Sequence, residues 1–331
     1  MAATAAAARL WLVARPAQHE RTAMYSDVII GFDGSAPARD ALALGRRLAS
    51  AAGARLAIVY VHPYMALSSD PVAEAAVELS WRAGAERTLD EARQALSDVP
   101  DVRFRAMADS SPARALHRAA EECDAALIVL GSTHRGKLGR VLPGTTADQV
   151  VHAAPCAVAV APAGYAARES LRSGVVGAAV DGGDETERVA RVAAHIAGGA
   201  GSVLRLVTVV ETHDPQGRIW AGAFGHGALR DAMRQAATSA LERAAVAAGN
   251  GEEVERRARE GTAADELMAE SNDLDLLVMG SRGFGPLRRV VLGSVAGKVL
   301  RAAACPVLVL PRGPAEQLDD SVVRLSDAAA R

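Results

Sequence analysis

The sequence predicts an α/β fold built twice: two tandem doubly wound domains, each a five-stranded parallel sheet in the Rossmann-like strand order 3-2-1-4-5. Three observations lead there. β-branched runs alternate with helical patterns along the chain, those runs are apolar almost throughout, as strands buried on both faces must be, and the second half repeats the first in register. Asp27–Ser35 reads DVIIGFDGS and Val175–Gly183 reads VVGAAVDGG; LIVLGS closes on Gly131–Ser132 and LLVMGS on Gly280–Ser281. RVLPGTTADQVVHAAPC ends at Cys156 and RVVLGSVAGKVLRAAAC at Cys305. The separation is 148 residues for Asp33/Asp181 and Val61/Val209, and 149 for Gly131/Gly280, Gly144/Gly293 and Cys156/Cys305. Unrelated segments do not hold such a register across a whole domain, so the chain is a duplication.

Each copy then reads in the same order. The run Val28–Phe32 ends in Asp-Gly and opens a helix around Pro37–Ala49, with Pro placed where a first helical turn tolerates it. A second run, Leu56–Val61 or Val203–Val210, precedes a polar stretch and an amphipathic helix that presents Leu89, Ala92 and Leu96 on one face in copy one. Val102–Met107 or Val254–Ala258 forms the third strand, followed by a helix around Leu116 or Leu267. The fourth strand, Ala125–Leu130 or Asp275–Met279, runs into a Gly-rich segment and a helix. A last strand, Ala157–Val160 or Val307–Leu310, closes each domain; as an apolar edge it invites pairing, which predicts an intramolecular pseudo-dimer of the two copies through these strands. The expected organisation is 1–23 as a disordered extension or mis-assigned start, 24–163 as the first domain, 164–173 as a linker, 174–313 as the second domain and 314–331 as a tail.

Composition narrows the function classes. The 331 residues are 50% hydrophobic, 23% charged and only 3% aromatic, with a formal charge of -2. That balance lacks both a basic face and the aromatic platforms of a single-strand binder, so neither nucleic acid nor a membrane surface is expected as a partner. Cys123, Cys156 and Cys305 are odd in number and far apart, which points to a reducing, cytoplasmic setting and not to a disulfide framework. No apolar run has membrane-spanning length, and Arg9 and Arg15 interrupt what would be a secretory leader.

The chemistry concentrates in the Gly-rich segment. In copy two, Gly280 and Gly283 are followed after nine residues by Gly293-Ser294, which opens a helix. Glycines let backbone amides approach phosphate oxygens and adopt positive φ; the free N–H groups and dipole of a helix start favour an anion. On these residues, with the Asp-ending first strand and the repeat, the sequence resembles the universal stress protein family in its tandem form, over about residues 24 to 313. The resemblance implies ATP, with Mg²⁺, as ligand: Asp181 and Val209 at adenine and ribose, Gly280, Gly283, Gly293 and Ser294 at the triphosphate. In copy one Asp33, Val61, Gly131, Gly144 and Thr145 match, but His134 stands at the second glycine and Pro143 stiffens the approach. A side chain there either crowds the phosphates or contacts them.

The function expected is an ATP-binding stress-response regulator with an unknown protein partner, a pseudo-dimer within the chain or a homodimer between chains, and no dedicated catalytic reaction. The rivals are a weak ATPase or adenylyl-transfer enzyme on the same scaffold, and a ligand-free scaffold. No SGGxDS, HIGH or KMSKS motif supports adenylyl chemistry. Gly131 to Lys137 approaches a P-loop, but Leu138 replaces the Mg²⁺-binding hydroxyl residue. His117 and Glu121 lie one helical turn apart without a third metal ligand, so a capping or solvated role is expected and no metal site. Cys156 and Cys305 read as small core residues before redox sensors. Asp33 and Asp181 read as ligand hydrogen-bonding groups before general bases, and Arg282, Arg288 and Arg289 as solvated charges that can assist phosphate binding.

Overall fold

The sequence forms ten strands whose order repeats the duplication. In this computed structural model the described residues are 27–63, 71–132, 141, 145–152, 154–168, 174–211, 226–249, 254–281 and 292–311. The expectations for 1–23, His134, Pro143, Gly144, Gly283, Lys137, Leu138, Arg282, Arg288, Arg289 and the tail lie outside them.

Copy one comprises β1 (Asp27–Gly31), α1 (Ala36–Ala52), β2 (Arg55–His62), α2 (Pro71–Ala95), β3 (Arg103–Ala108), α3 (Pro112–Cys123), β4 (Leu127–Gly131), α4 (Thr145–Val151) and β5 (Ala157–Ala161). Copy two comprises β6 (Val175–Ala179), α5 (Thr186–Ala200), β7 (Val203–Glu211), α6 (His226–Ala248), β8 (Val254–Gly261), α7 (Ala263–Glu270), β9 (Leu276–Gly280), α8 (Ser294–Ala302) and β10 (Val307–Leu310). Helix starts follow their capping chemistry: Ser35 accepts the Ala38 N–H and Ser111 accepts the Arg114 N–H, each with proline at the first turn. The C-terminus of α1 ends at Gly53 in the left-handed conformation that β-carbons disfavour.

All ten strands form one sheet in the order β3-β2-β1-β4-β5-β10-β9-β6-β7-β8, which contains the expected 3-2-1-4-5 in each half. Within each copy every pairing is parallel. The copies join antiparallel, β10 on β5, with Val307 opposite Val160, Leu308 opposite Ala159 and Val309 opposite Val158. Both strands are buried along their whole length, so the two most apolar edges cover each other. The outer edges are of opposite character: β3 reads RFRAMA and β8 reads VERRAREG. One apolar layer packs α1, α2, α5 and α6 against the sheet, and a second packs α3, α4, α7 and α8 on the other face.

The junction between copies is tethered. Asp40 on α1, 2% exposed, accepts the Gly164 and Ala166 N–H groups at 2.8 and 2.7 Å. Tyr165 begins a one-turn 3-10 helix and is buried against α1. Asp275, just ahead of β9, accepts the Gly174 N–H at 2.6 Å at the entry to β6.

Candidate functional site

Winding reverses between β1 and β4 in the first copy and between β6 and β9 in the second, because β1 is flanked by β2 and β4, and β6 by β7 and β9. The carboxyl ends of such strand pairs open the crevice that accommodates a ligand in a doubly wound sheet. One crevice receives Asp33 and Gly131–Ser132, the other Asp181 and Gly280–Ser281. Val61 and Val209, both half-buried, lie near the carboxyl ends of the flanking β2 and β7. Gly293 is the N-cap residue of α8 and Ser294 its first residue; Thr145 opens α4.

The two aspartates shape the turn that leads out of their strands. Asp33 Oδ1 accepts the Ser35 N–H at 3.0 Å; Asp181 Oδ1 accepts the Gly183 N–H at 2.8 Å and the Thr186 hydroxyl at 3.4 Å. Both residues stay exposed at the crevice. The following glycines, Gly34 and Gly182, have φ of 76° and 81°, so the Asp-Gly pairs need residues without a Cβ.

The later glycines depart from the expectation in an instructive way. Gly131 and Gly280 do not occupy the left-handed region, and Gly293 has φ of -69°. Positive φ is therefore not their reason. A Cβ on Gly131 would overlap the Pro37 carbonyl, and one on Gly280 would come 2.6 Å from Glu185 Oε2. Each glycine lets the first turn of α1 or the entry to α5 press onto a strand end, which narrows the crevice floor. Ser132 and Ser281 follow with N–H groups bonded to the Ala161 and Leu310 carbonyls at 2.9 Å; their buried hydroxyls have no hydrogen-bond partner among the described residues.

Two residues escaped the sequence reading. Gly182 faces Ala240 and Arg243 of α6, and the Arg243 Nη2 donates to the Gly182 carbonyl at 2.8 Å. In copy one the corresponding Gly34 faces Thr88 and Glu91 of α2, with Glu91 paired to Arg39 at 3.2 Å. The rim of the second crevice thus carries the Arg243 guanidinium where the first carries the Arg39–Glu91 ion pair. Glu91 and Arg243 are 152 residues apart, off the 148–149 register of the strands, so repeat spacing gave no signal for them. Glu185 also reaches the second crevice, and Arg188 neutralises it at 3.0 Å.

The remaining candidates take structural roles. His117 Nε2 lies 2.9 Å from the Val150 carbonyl, tying α3 to the last turn of α4. Among the described residues no group of three or more His, Cys, Asp or Glu is arranged to hold a metal ion. Burial pushes the Cys156 and Cys305 thiols up to about 12, which keeps them protonated and unreactive in the core. No helix among the described residues is long and apolar enough to cross a membrane.

Known proteins match this arrangement. The universal stress protein family model matches twice, over residues 24–162 and 174–311. A universal stress protein of Mycobacterium tuberculosis is 30% identical over 224 residues, covering 65% of this chain and 74% of that protein. One from Bacillus subtilis is 29% identical over 140 residues, 40% of this chain and 95% of that protein, so it spans a single copy. In fold, the crystal structure of a universal stress protein from Archaeoglobus fulgidus is similar with a TM-score of 0.60 at 21% identity, covering 87% of this chain and 98% of that one.

Proposed function

The chain belongs to the universal stress protein family, with two such domains in one polypeptide, and from that premise we propose that it is a cytoplasmic, nucleotide-dependent regulator of the stress response that binds ATP in its second domain and has no dedicated reaction. Mg²⁺ would accompany the nucleotide and offset its phosphate charge, and the bound nucleotide controls association with a protein partner. The observation that carries this reading is the convergence of Asp181 and Gly280–Ser281 at one switch point, with α8 the next helix in the chain among the described residues. An exposed carboxylate suits ribose or adenine hydrogen bonding. The N–H groups at the start of α8, which have no partner within the helix, suit phosphate oxygens, and the Arg243 guanidinium on the rim favours the same charge. In copy one His134 replaces the second glycine of the loop, which makes it the weaker site.

Calorimetry on the full chain with MgATP tests this. One saturating site is expected before a second, weaker one. Gly283→Val should abolish the strong site by blocking backbone approach, and Asp181→Ala should weaken it about tenfold, the loss of a hydrogen bond to a charged group. In the Gly283→Val background, His134→Gly should strengthen what remains. Unchanged affinity in Gly283→Val would overturn the site, and multiple-turnover phosphate release would make the protein an ATPase instead.

A further inference from the structure

A cavity of about 390 Å³ lies between the two copies, where the C-terminal halves of α1 and α5 meet over the amino ends of β6 and β9. It is at the opposite ends of those strands from the nucleotide crevice, so it is a separate place in the fold. Its volume falls within the ~300–1,000 Å³ span of small-molecule sites. Leu44, Leu48, Val176 and Ile196 supply apolar wall from both copies.

The polar part of the lining is one-sided. Arg47 is half-buried, with its guanidinium 5.0 Å from the centroid of the Tyr165 ring. Its Nη1 donates to the Tyr165 hydroxyl at 3.1 Å and its Nη2 to the Arg168 carbonyl at 2.6 Å. Neither partner is an anion, and no carboxylate among the described residues pairs with it. A guanidinium has five N–H donors, so donors remain, and a cation partly withdrawn from water without a counter-ion is costly. Ser50 and Ser202 add hydroxyls to the lining, and that of Ser202 has no hydrogen-bond partner among the described residues. Arg46, also in the lining, is already paired with Asp98. The one lining carboxylate among the described residues, Asp275, accepts the Gly174 and Val175 N–H groups at 2.6 and 3.3 Å. Donors outnumber uncommitted acceptors, over an apolar floor.

We propose that this cavity binds a small organic carboxylate, its apolar body between the leucines of α1 and Ile196 of α5 and its carboxylate on Arg47. The site occurs once per chain, because His195 stands 148 residues after Arg47 and offers no second guanidinium. A ligand held by both copies also stabilises their pairing, since it binds only the assembled pair.

Benzoate is the probe, with benzamide as its neutral counterpart. Calorimetry on the full chain should show saturable binding of one benzoate per chain and at least tenfold weaker binding of benzamide. Arg47→Gln should weaken benzoate about tenfold or more, and Arg47→Lys should retain part of the affinity. Ala200→Phe places bulk at an exposed lining position and should remove binding without lowering the melting temperature. Gly283→Val should bind benzoate as the native chain does, which separates this site from the nucleotide reading. No saturable benzoate binding up to about 10 mM, equal affinity for benzamide, or full affinity in a folded Arg47→Gln would overturn the proposal.

Discussion

A single β-carbon decides the fate of Gly131. The Pro37 carbonyl occupies the space that carbon would need, so Gly131→Ala must push the first turn of α1 off the end of β4. Overpacking of this kind costs about 1–3 kcal/mol, and urea unfolding of the variant should show a loss of that size whether or not nucleotide is added. The spacing of this glycine was legible in the sequence. Its packing role was not, because the pattern of a ligand loop and the pattern of a tight helix–strand crossing call for the same residue. Asp33 and Asp181 were legible for the opposite reason: a carboxylate before glycine at a strand end has few other uses than a turn or a ligand. Glu91 and Arg243 were illegible, since an exposed charge on an amphipathic helix carries no mark of the neighbour it will meet.

Strands and helices follow from periodicity, and their order from the rules of parallel pairing, so the elements themselves were readable throughout. Contacts between helices were not, and the crossing of α1 and α5 shows why. A Cβ on Gly199 would overlap the Ala51 carbonyl, so the two helices touch backbone to backbone across the copies. Beside that contact His195 bonds the backbone of Ala52 at the end of α1, and its Nε2 is buried without a partner among the described residues. Burial lowers the His195 pKa from 6.5, with the backbone bond opposing it. The unfolded chain therefore takes up this proton at higher pH than the folded one. The stability gained from the neutral ring is complete above the ordinary value and is lost as pH falls through the lower folded value. The urea midpoint should accordingly drop as the pH falls below the ordinary value of 6.5, and His195→Gln, which keeps a donor for Ala52 without titrating, should flatten that drop. Equal slopes in the two proteins would remove His195 from the account.

At the scale of the molecule, the apolar last strands predicted that the copies would meet edge to edge, and β5 and β10 do so. The charged outer strands β3 and β8 end the sheet after ten strands, since arginine-rich edges resist further pairing. Residues 24–163 or 174–313 produced alone would each expose an apolar edge; sedimentation should find them self-associated or precipitated, and mixing them should restore a soluble pair. Freely tumbling single halves would contradict this. The same pairing sets a schedule for synthesis. The partner of β5 is the last strand of the fold, and roughly 145 residues separate Ala161 from Val307, so at about 5–20 residues per second a nascent first domain waits roughly 7–30 seconds with its edge uncovered. During that interval neighbouring chains on one polysome present identical edges to each other, which makes translation speed through the second copy a determinant of how much protein reaches the paired state.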